Sequence, residues 1–496
     1  MSKIEIKNLT FGFDTLTELL FDQANLVIDT QWKLGLIGRN GRGKTTLLQL
    51  LLGEYAYSGT IHHSLEFTYF PQTIVDKTQL TYDCLQELAI FELWEIEREL
   101  NLLQADTDIL WRPFTSLSGG EQTKVLLALL FIDDHPFPLI DEPTNHLDIT
   151  ARQQVADYLK AKRNGFIVVS HDRSFVNEVV DHVLSIEKSQ LVLYQGNFAT
   201  YEEQKEQRDR YEQEENRKLQ KEVRRLKQTA ADKAEWSRGR EKDKQGNPNQ
   251  KGSGAIYDTG AIGARAARTM KRSKTIANRM EQKAKEKENL LHDVEDIDPL
   301  TMNYQPSHHK QLLKAEGLQL SYGEAPLFDP LSFEVEQGQR LAIQGANGSG
   351  KSSIIQFLLG EFTGEDSGYA SLAHGLNISY VRQNYEDNTG TLSEFAQTHH
   401  LSYQELLNNL HKLGLERKVF ANRIEEMSMG QRKRVELAKS LATPAELFIW
   451  DEPLNYLDVF NHKQLEEVIQ EVQPTMLVVE HETTFLQSIA TQMIHL

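Results

Sequence analysis

The sequence predicts an α/β protein in which two domains of the same kind are joined by a long α-helical hairpin. Three observations predict this arrangement. Two parts of the chain carry the same ordered motifs at matched spacings, short apolar segments precede those motifs, and the stretch between the two parts is rich in Glu, Lys, Arg and Gln. A chain of 496 residues is also too long for one hydrophobic core. We therefore expect domains at residues 1–195 and 300–496, with a linker at residues 196–299.

Composition excludes several classes of protein. Hydrophobic residues make up 39% and charged residues 25% of the chain, and no apolar run is long enough to span a membrane. The first residues alternate between polar and apolar side chains, as in an amphipathic strand, and do not resemble a signal peptide. The only cysteine, Cys84, rules out an intramolecular disulfide and is expected to be buried. The sequence thus predicts a cytoplasmic protein with no membrane partner.

The repeat is defined by spacing. GRNGRGKTT begins at Gly38 and GANGSGKSS begins at Gly345. In both copies 23 residues separate a later serine from an aspartate, and 30 residues separate that aspartate from a histidine. Two unrelated domains would not share these intervals, so the copies are homologous.

Each copy predicts an α/β domain with a parallel sheet. A strand-rich start is followed by a glycine loop that opens a helix, then by a helical region and further apolar strands. The runs Leu34 to Ile37 and Phe166 to Val169 have the composition of strands buried on both faces. Ligands in such domains bind at the carboxyl ends of the strands.

The linker differs from both domains. Residues 201–290 contain 24 Lys and Arg against 16 Asp and Glu, although the whole chain has a net charge of −18. A basic segment between acidic domains indicates a local contact with a polyanion. Apolar residues recur at intervals of three and four, as in a two-helix seam, and a glycine-rich stretch at 244–263 interrupts them. The alternative is a solvated spacer. The apolar positions are Leu219, Val223, Leu226, Ala230 and Ala234, then Ile276, Met280, Ala284 and Leu291.

The glycine loops carry the pattern G-x-x-x-x-G-K-[ST]. Backbone N–H groups of such a loop surround phosphates at a helix N-terminus, the lysine reaches the outer phosphates, and the hydroxyl binds Mg²⁺. The predicted nucleotide-binding residues are Gly38, Arg39, Asn40, Gly41, Arg42, Gly43, Lys44, Thr45 and Thr46, and Gly345, Ala346, Asn347, Gly348, Ser349, Gly350, Lys351, Ser352 and Ser353.

Carboxylate pairs follow two apolar strands, in LIDE and FIWDE. Asp141 and Asp451 are predicted to hold Mg²⁺, and Glu142 and Glu452 to orient or deprotonate the attacking water. A strand-end carboxylate can also be only a helix cap, but the adjacent phosphate loop favours catalysis. His171 and His481 lie at matched positions and are predicted to contact the γ-phosphate.

A further motif makes a family resemblance explicit. Ser118, Gly119 and Gly120, in LSGGE, resemble the signature of ATP-binding-cassette (ABC) ATPases. The resemblance implies tandem ABC-type P-loop ATPase domains that use ATP and Mg²⁺ and hydrolyse ATP to ADP and phosphate. It also implies that the domains meet head to tail, with each ATP between one phosphate loop and the other signature. Ser428 and Gly430 match the second signature.

The resemblance assigns four more residues. Gln72 and Gln383 match the family's Q-loop, whose glutamine contacts Mg²⁺, and Phe11 and Tyr322 match its adenine-stacking aromatic. For both aromatic residues a core position is the alternative. The second signature, MSMGQ, has Met429 in place of a glycine, so we expect two unequal ATP sites.

The chain most resembles the ABC-F family. Tandem domains, the DEPTNHLD motif, the stretch YQGNFATYEEQK and the charged linker carry this resemblance. A short segment between Gln72 and Ser118, a glycine-broken linker and no C-terminal extension are similar to Lsa-type antibiotic-resistance proteins. The alternatives are a housekeeping translation factor, the ATPase subunit of a transporter or a coiled-coil DNA ATPase.

The resemblance implies a partner and a mode of action. The partner is the ribosome, with contacts to rRNA near the E site and the peptidyl-transferase centre and to P-site tRNA. There the linker would relieve inhibition by lincosamides, streptogramin A compounds and pleuromutilins. The expected protein is a monomer with intramolecular domain pairing and no obligate protein partner. Lys244 and Tyr257 are the predicted contacts of the linker tip. The alternative for Tyr257 is a solvent-exposed residue with no role.

Overall fold

The computed structural model describes residues 3–13, 19–133, 135–145, 147–242, 271, 275–276, 278–280, 282, 299–323 and 325–496. Residues 1–201 and 297–496 form one compact unit, and residues 202–296 form a second. The predicted tip residues Lys244 and Tyr257 lie outside the described residues. Among those described, no helix is both long enough and apolar enough to cross a membrane.

The first half of the chain contains nine strands and seven α-helices within the described residues. The strands are β1 (Lys3–Phe11), β2 (Phe21–Asp29), β3 (Lys33–Ile37), β4 (Ser58–His62), β5 (Phe67–Phe70), β6 (Phe137–Asp141), β7 (Phe166–Val169), β8 (His182–Glu187) and β9 (Gln190–Gln195). The helices are α1 (Lys44–Leu51), α2 (Thr81–Leu88), α3 (Leu93–Leu102), α4 (Gly119–Leu130), α5 (Ile149–Ala161), α6 (Arg173–Val179) and α7 (Phe198–Lys242).

The second half repeats this order. Its strands are β10 (Gln311–Ser321), β11 (Leu331–Glu336), β12 (Arg340–Gln344), β13 (Glu365–Leu372), β14 (Ile378–Val381), β15 (Leu447–Asp451), β16 (Met476–Val479) and β17 (Gln492–His495). Its helices are α8 (Lys351–Leu359), α9 (Leu392–Thr398), α10 (Tyr403–Lys412), α11 (Met429–Ala442), α12 (Val459–Val472) and α13 (Thr483–Ile489).

Each half builds a central sheet and a small antiparallel sheet. The central sheets have the orders β5-β6-β7-β3-β8-β9 and β14-β15-β16-β12-β17, and the small sheets have the orders β2-β1-β4 and β11-β10-β13. Neighbours in the central sheets are parallel, apart from the antiparallel pair β8 and β9. The predicted pair of α/β domains is therefore confirmed.

The apolar strands are buried on both faces, as predicted. In β7, Phe166 and Val168 belong to one hydrophobic cluster, whereas Ile167 and Val169 belong to the other. The strand β15 alternates between two clusters in the same way. Successive side chains point to opposite faces of a sheet, so a strand covered on both sides reads as a continuous apolar run. Cys84 is buried, with 1% of its surface exposed.

The linker begins with one long helix. The helix α7 has 45 residues, which at about 1.5 Å per residue corresponds to roughly 65 Å. On this helix Val223 is buried and Leu226 is partly buried, as expected for an apolar seam. Residues 271, 275–276, 278–280 and 282 are also helical. The rest of the predicted hairpin lies outside the described residues.

Candidate functional site

Both phosphate loops connect a central strand to the N-terminus of a helix. The loop after β3 ends at Gly43 with φ of 95°, and the loop after β12 ends at Gly350 with φ of 94°. A Cβ atom at Gly350 would lie 2.9 Å from the Phe328 ring. The left-handed backbone and the close ring both require glycine there, so the motif glycines shape the loop that precedes each helix.

The two loop lysines are held inside their own loops. Lys44 Nζ donates to the Gly38 carbonyl oxygen at 2.8 Å and to Asn40 Oδ1 at 3.2 Å. Lys351 Nζ donates to the Ala346 carbonyl oxygen at 2.7 Å. Burial lowers the pKa of both ammonium groups, although nearby carboxylates oppose this. Each lysine is thus a desolvated cation at the centre of its loop.

The strand-end carboxylates meet the loop hydroxyls. Thr45 Oγ1 donates to Asp141 Oδ2 at 2.7 Å, and Tyr69 donates to the same oxygen at 3.1 Å. In the second half a hydrogen bond from Ser352 reaches Asp451. Burial raises the pKa of Asp451 to about 6, and the Ser352 hydrogen bond opposes that rise. The structure therefore brings together the hydroxyl and aspartate predicted for each site.

The next residue in each motif has an unusual backbone. Glu142 has φ of 53° and Glu452 has φ of 47°. The N–H of Glu142 donates to the Val169 carbonyl oxygen, and that of Glu452 to the Val479 carbonyl oxygen, both at 2.9 Å. These bonds to the neighbouring strand hold the two glutamates in the left-handed region. Such strain in non-glycine residues is concentrated at functional sites.

Each glutamate lies beside the predicted histidine. His171 Nε2 is 3.1 Å from Glu142 Oε1, and His481 Nε2 is 3.6 Å from Glu452 Oε1. Glu452 also accepts a hydrogen bond of 2.6 Å from Asn455 Nδ2. The matched spacing in the sequence therefore corresponds to a matched contact.

The two glutamates nevertheless have opposite protonation tendencies. Burial raises the pKa of Glu142 to about 8, which the Lys44 charge opposes and the Asp141 charge reinforces. Burial would also raise the pKa of Glu452, but hydrogen bonds and charge from His481, with help from Gln383 and Asn455, bring it to about 2. Burial, followed by the Lys44 charge, lowers the pKa of His171 well below its usual value.

The Q-loop glutamines differ in their contacts. Gln72 Nε2 is 3.5 Å from the Leu126 carbonyl oxygen, and Gln72 Oε1 is a buried acceptor with no hydrogen-bond partner among the described residues. Gln383 forms a hydrogen bond with Glu452 and lines a cavity at the second phosphate loop. That cavity has a volume of about 520 Å³ and also contacts Leu147 and Arg152 of the first half.

The aromatic residues occupy different environments. Tyr322 is 54% exposed and lines the cavity of about 520 Å³. Phe11 is 8% exposed, and its ring centroid lies 5.1 Å from that of Phe13 and 5.5 Å from that of Tyr55. The structure thus places Phe11 among the core residues, the alternative to adenine stacking, because it is buried in a hydrophobic cluster beside two other rings.

The signature serines cap helices. Ser118 Oγ accepts from the Glu121 N–H, and Ser428 Oγ accepts from the Gln431 N–H, both at 3.3 Å. Gly119 begins α4 and Met429 begins α11, where Met429 is 41% exposed. Among the described residues, neither Ser118 nor Ser428 lines the cavities beside the phosphate loops. Their predicted role across the domain interface stays a prediction.

Two residues that sequence reasoning missed join the halves reciprocally. Asp458 Oδ2 accepts from the Asn40 N–H at 2.7 Å, and Asp148 Oδ2 accepts from the Asn347 N–H at 3.2 Å. Asp148 is the last residue of DEPTNHLD and Asp458 is the last residue of DEPLNYLD, and each also caps the helix that follows. Their repetition at matched positions was the available signal, although nothing in the sequence shows that they reach the opposite loop.

The family model described as "ABC transporter" matches residues 21–145 and 328–455, together just over half of the chain. Both matches begin before a phosphate loop, and they end within DEPTNHLD and DEPLNYLD, respectively. The chain belongs to the ABC ATPase family. It is an ATPase with two ABC domains, as the sequence predicted, and such domains bind ATP.

Similar ABC proteins cover nearly all of the chain. Ribosome protection protein VmlR of Bacillus subtilis is 29% identical over 97% of this chain and 85% of its own length. Erythromycin resistance ATP-binding protein MsrA of Staphylococcus epidermidis is 27% identical over 98% and 97%. Energy-dependent translational throttle protein EttA of Haemophilus influenzae is 26% identical over 93% and 86%. The predicted ABC-F resemblance is confirmed.

Solved structures share the tandem ABC fold. The archaeal ribosome recycling factor aABCE1, in complex with the stalk protein aP1, has a TM-score of 0.63 and 18% identity, over 98% of this chain and 87% of that one. An RNase-L inhibitor has a TM-score of 0.62 and 19% identity, over 99% and 87%. At this identity the likeness extends to the fold alone.

Proposed function

We propose that this ABC ATPase binds the ribosome in its ATP-bound form and protects it from antibiotics that act at the peptidyl-transferase centre. The observation that carries the proposal is similarity along the full chain, linker included, to a ribosome protection protein. In this proposal the domains are residues 1–195 and 300–496, and residues 196–299 reach from the E site of the ribosome. The protein works in the cytoplasm as a monomer.

Each ATP site is assembled around one phosphate loop. Lys44 and Lys351 pair with the outer phosphates once they exchange their carbonyl contacts for the nucleotide. Tyr322 stacks on adenine at the second site, where it is exposed in the cavity. Asp148 and Asp458 already bind the opposite loops, so ATP binding at either loop is linked to domain pairing.

The donor set at each site suits Mg²⁺. Asp451 Oδ1 and Gln72 Oε1 are buried oxygens without a hydrogen-bond partner in the described part of the chain. Hard oxygen ligands of this kind are those that Mg²⁺ prefers. Thr45, Asp141 and Gln72 would hold the ion at the first site, and Ser352, Asp451 and Gln383 at the second. When bound, Mg²⁺ supplies charge that neutralises the phosphates.

Hydrolysis depends on the glutamate and histidine pairs. Glu142 and Glu452 orient the attacking water and accept its proton, and His171 and His481 position the γ-phosphate. Ser118 with Gly120 and Ser428 with Gly430 complete the sites when the domains close. Hydrolysis then removes the γ-phosphate that joins the two surfaces and reopens the domains.

The linker supplies the RNA contact. Exposed cations follow one another along α7, at Arg217, Lys218, Lys221, Arg224 and Arg225. Cations spaced along a helix can neutralise several phosphates, so binding should weaken as salt rises. We place rRNA near the E site and P-site tRNA opposite this segment, and we place Lys244 and Tyr257 nearest the drug-binding region.

Replacing both catalytic glutamates tests the ATP-gated part of the proposal. The Glu142→Gln/Glu452→Gln protein keeps side-chain size but lacks the base, so it should bind ATP and accumulate on ribosomes that pellet through sucrose. A Lys44→Ala/Lys351→Ala protein is the matched control and should not accumulate. Equal pelleting of the unaltered and glutamine proteins in ATP would reject ATP gating.

Drug protection is tested separately. Minimal inhibitory concentrations of a lincosamide, a streptogramin A compound and a pleuromutilin should rise in a susceptible host that expresses the unaltered protein, but not in one that expresses the lysine variant. A housekeeping translation factor is the second candidate, which the similarity to EttA favours. Unchanged inhibitory concentrations together with ATP-dependent ribosome binding would select that candidate.

A further inference from the structure

A basic cavity lies beside the first phosphate loop and receives residues from both domains. Its volume is about 430 Å³. The first domain contributes Arg39 and Arg42 from the loop itself. The second domain contributes Arg417 and Lys418, which begin a short 3-10 helix at Arg417–Ala421. Four cationic residues therefore line one cavity beside the loop that would hold the phosphates of the first nucleotide.

The internal repeat identifies the matching positions at the second site. Arg417 lies 11 residues before Ser428, and Thr107 lies 11 residues before Ser118. Both residues begin a 3-10 helix, Arg417–Ala421 in one domain and Thr107–Trp111 in the other. The correspondence is therefore structural as well as sequential.

The charges at these matched positions are opposite. Arg39 and Arg42 correspond to Ala346 and Ser349 in the second loop. Arg417 and Lys418 correspond to Thr107 and Asp108, and Glu416 corresponds to Asp106. At the first site these positions carry a net charge of three positive units, even with Glu416, which pairs with Lys418 at 2.5 Å. The corresponding positions of the repeat carry two negative units.

We propose that Arg417 and Lys418 bind nucleotide phosphates across the domain interface and make the first site the tighter, slowly exchanging one. The proposal rests on the proposed function, since it needs both sites to bind ATP. A cleft with one sign of charge concentrates a ligand of the opposite sign, and a nucleoside triphosphate is strongly anionic. In this proposal the acidic positions of the repeat face the second site, which therefore releases nucleotide faster.

The side chains concerned can be changed without disturbing the core. Arg417 and Lys418 are exposed, and the buried neighbour Val419 anchors their short helix. An Arg417→Gln/Lys418→Gln protein should therefore fold normally. Lys160→Gln/Arg163→Gln is a matched control, because it removes the same charge from two exposed residues that do not line the cavity.

Nucleotide binding at each site is measured in the full chain after the other site has been disabled by substitution. Lys351→Ala leaves the first site, and Lys44→Ala leaves the second. Titration with a fluorescent methylanthraniloyl-ATP should give tighter binding to the first protein than to the second, with slower release when excess ATP is added. The Arg417→Gln/Lys418→Gln change should weaken binding by about tenfold at low salt in the Lys351→Ala background only.

The outcomes separate the two proposals. If the unaltered protein binds two nucleotides and each lysine variant binds one, the result supports two ATP sites, whatever the affinity of each site. Equal affinities of the two lysine variants, or equal losses from the cavity and control substitutions, would overturn the inference and leave the proposed function intact. Failure of the unaltered protein to bind nucleotide would reject both. We expect the difference in nucleotide affinity between the two sites to shrink at high salt, because salt screens exposed charges.

Discussion

The opposite shifts in the pKa values of Glu142 and Glu452 predict that the two ATP sites respond differently to pH. The perturbation is a single Glu452→Gln substitution, which leaves hydrolysis to the first site. There the base is Glu142, whose pKa burial raises to about 8. A general base acts only when it is deprotonated, so activity at this site should rise as pH approaches and passes that pKa.

The magnitude follows from the fraction of ionised carboxylate. With a pKa of about 8, roughly one-tenth of Glu142 is ionised at pH 7 and roughly nine-tenths at pH 9, so the rate should rise about tenfold. The complementary Glu142→Gln protein leaves the second site. Its base, Glu452, has a pKa of about 2 because His481 and Asn455 stabilise the carboxylate, so its rate should be flat over this range.

The assay is phosphate release at ATP concentrations well below KM. Under this condition the rate reports kcat/KM and therefore the pKa values of the enzyme before nucleotide binds. The double glutamine variant provides the background rate. Indistinguishable pH profiles for the two single variants would refute the reasoning, because they would show that the different surroundings of the two glutamates do not control their ionisation.

Three further predictions concern the interface, the signature and the linker. Arg173→Ala should lower the free energy of unfolding by about 3–5 kcal/mol in urea titrations, because it leaves the partly buried Glu466, 2.9 Å away, and the buried Glu482, 3.6 Å away, without its charge. Lys160→Ala, at an exposed pair, should cost under about 1 kcal/mol. Met429→Gly should change phosphate release mainly in the Glu452→Gln background, and equal changes in both single-glutamine backgrounds would refute head-to-tail pairing. Deleting residues 244–263 should leave ATPase activity and ribosome pelleting largely intact, while inhibitory concentrations fall to those of the host alone. Retained resistance would exclude a role of the linker tip in drug protection.

The sequence by itself determined the repeat, the sheet strands and the loop chemistry. These features are local: a glycine with a left-handed backbone, a strand buried on both faces and an aspartate at a strand end each leave a pattern within about ten residues. For this reason GRNGRGKTT and FIVV were sufficient to predict β3, α1 and β7. The meeting of Thr45 with Asp141 followed as well, because parallel strands end at the same edge of a sheet.

Only the tertiary structure decided which motif residues are exposed and in which direction their pKa values shift. Phe11 and Tyr322 occupy the same motif position, yet one is packed against Phe13 and Tyr55 and the other is exposed. The bond from Asn40 to Asp458 joins residues that are 418 positions apart, which no local pattern encodes. Glu142 and Glu452 follow equivalent strands, but their pKa values move in opposite directions because burial and neighbouring hydrogen-bond donors depend on the packing of distant segments.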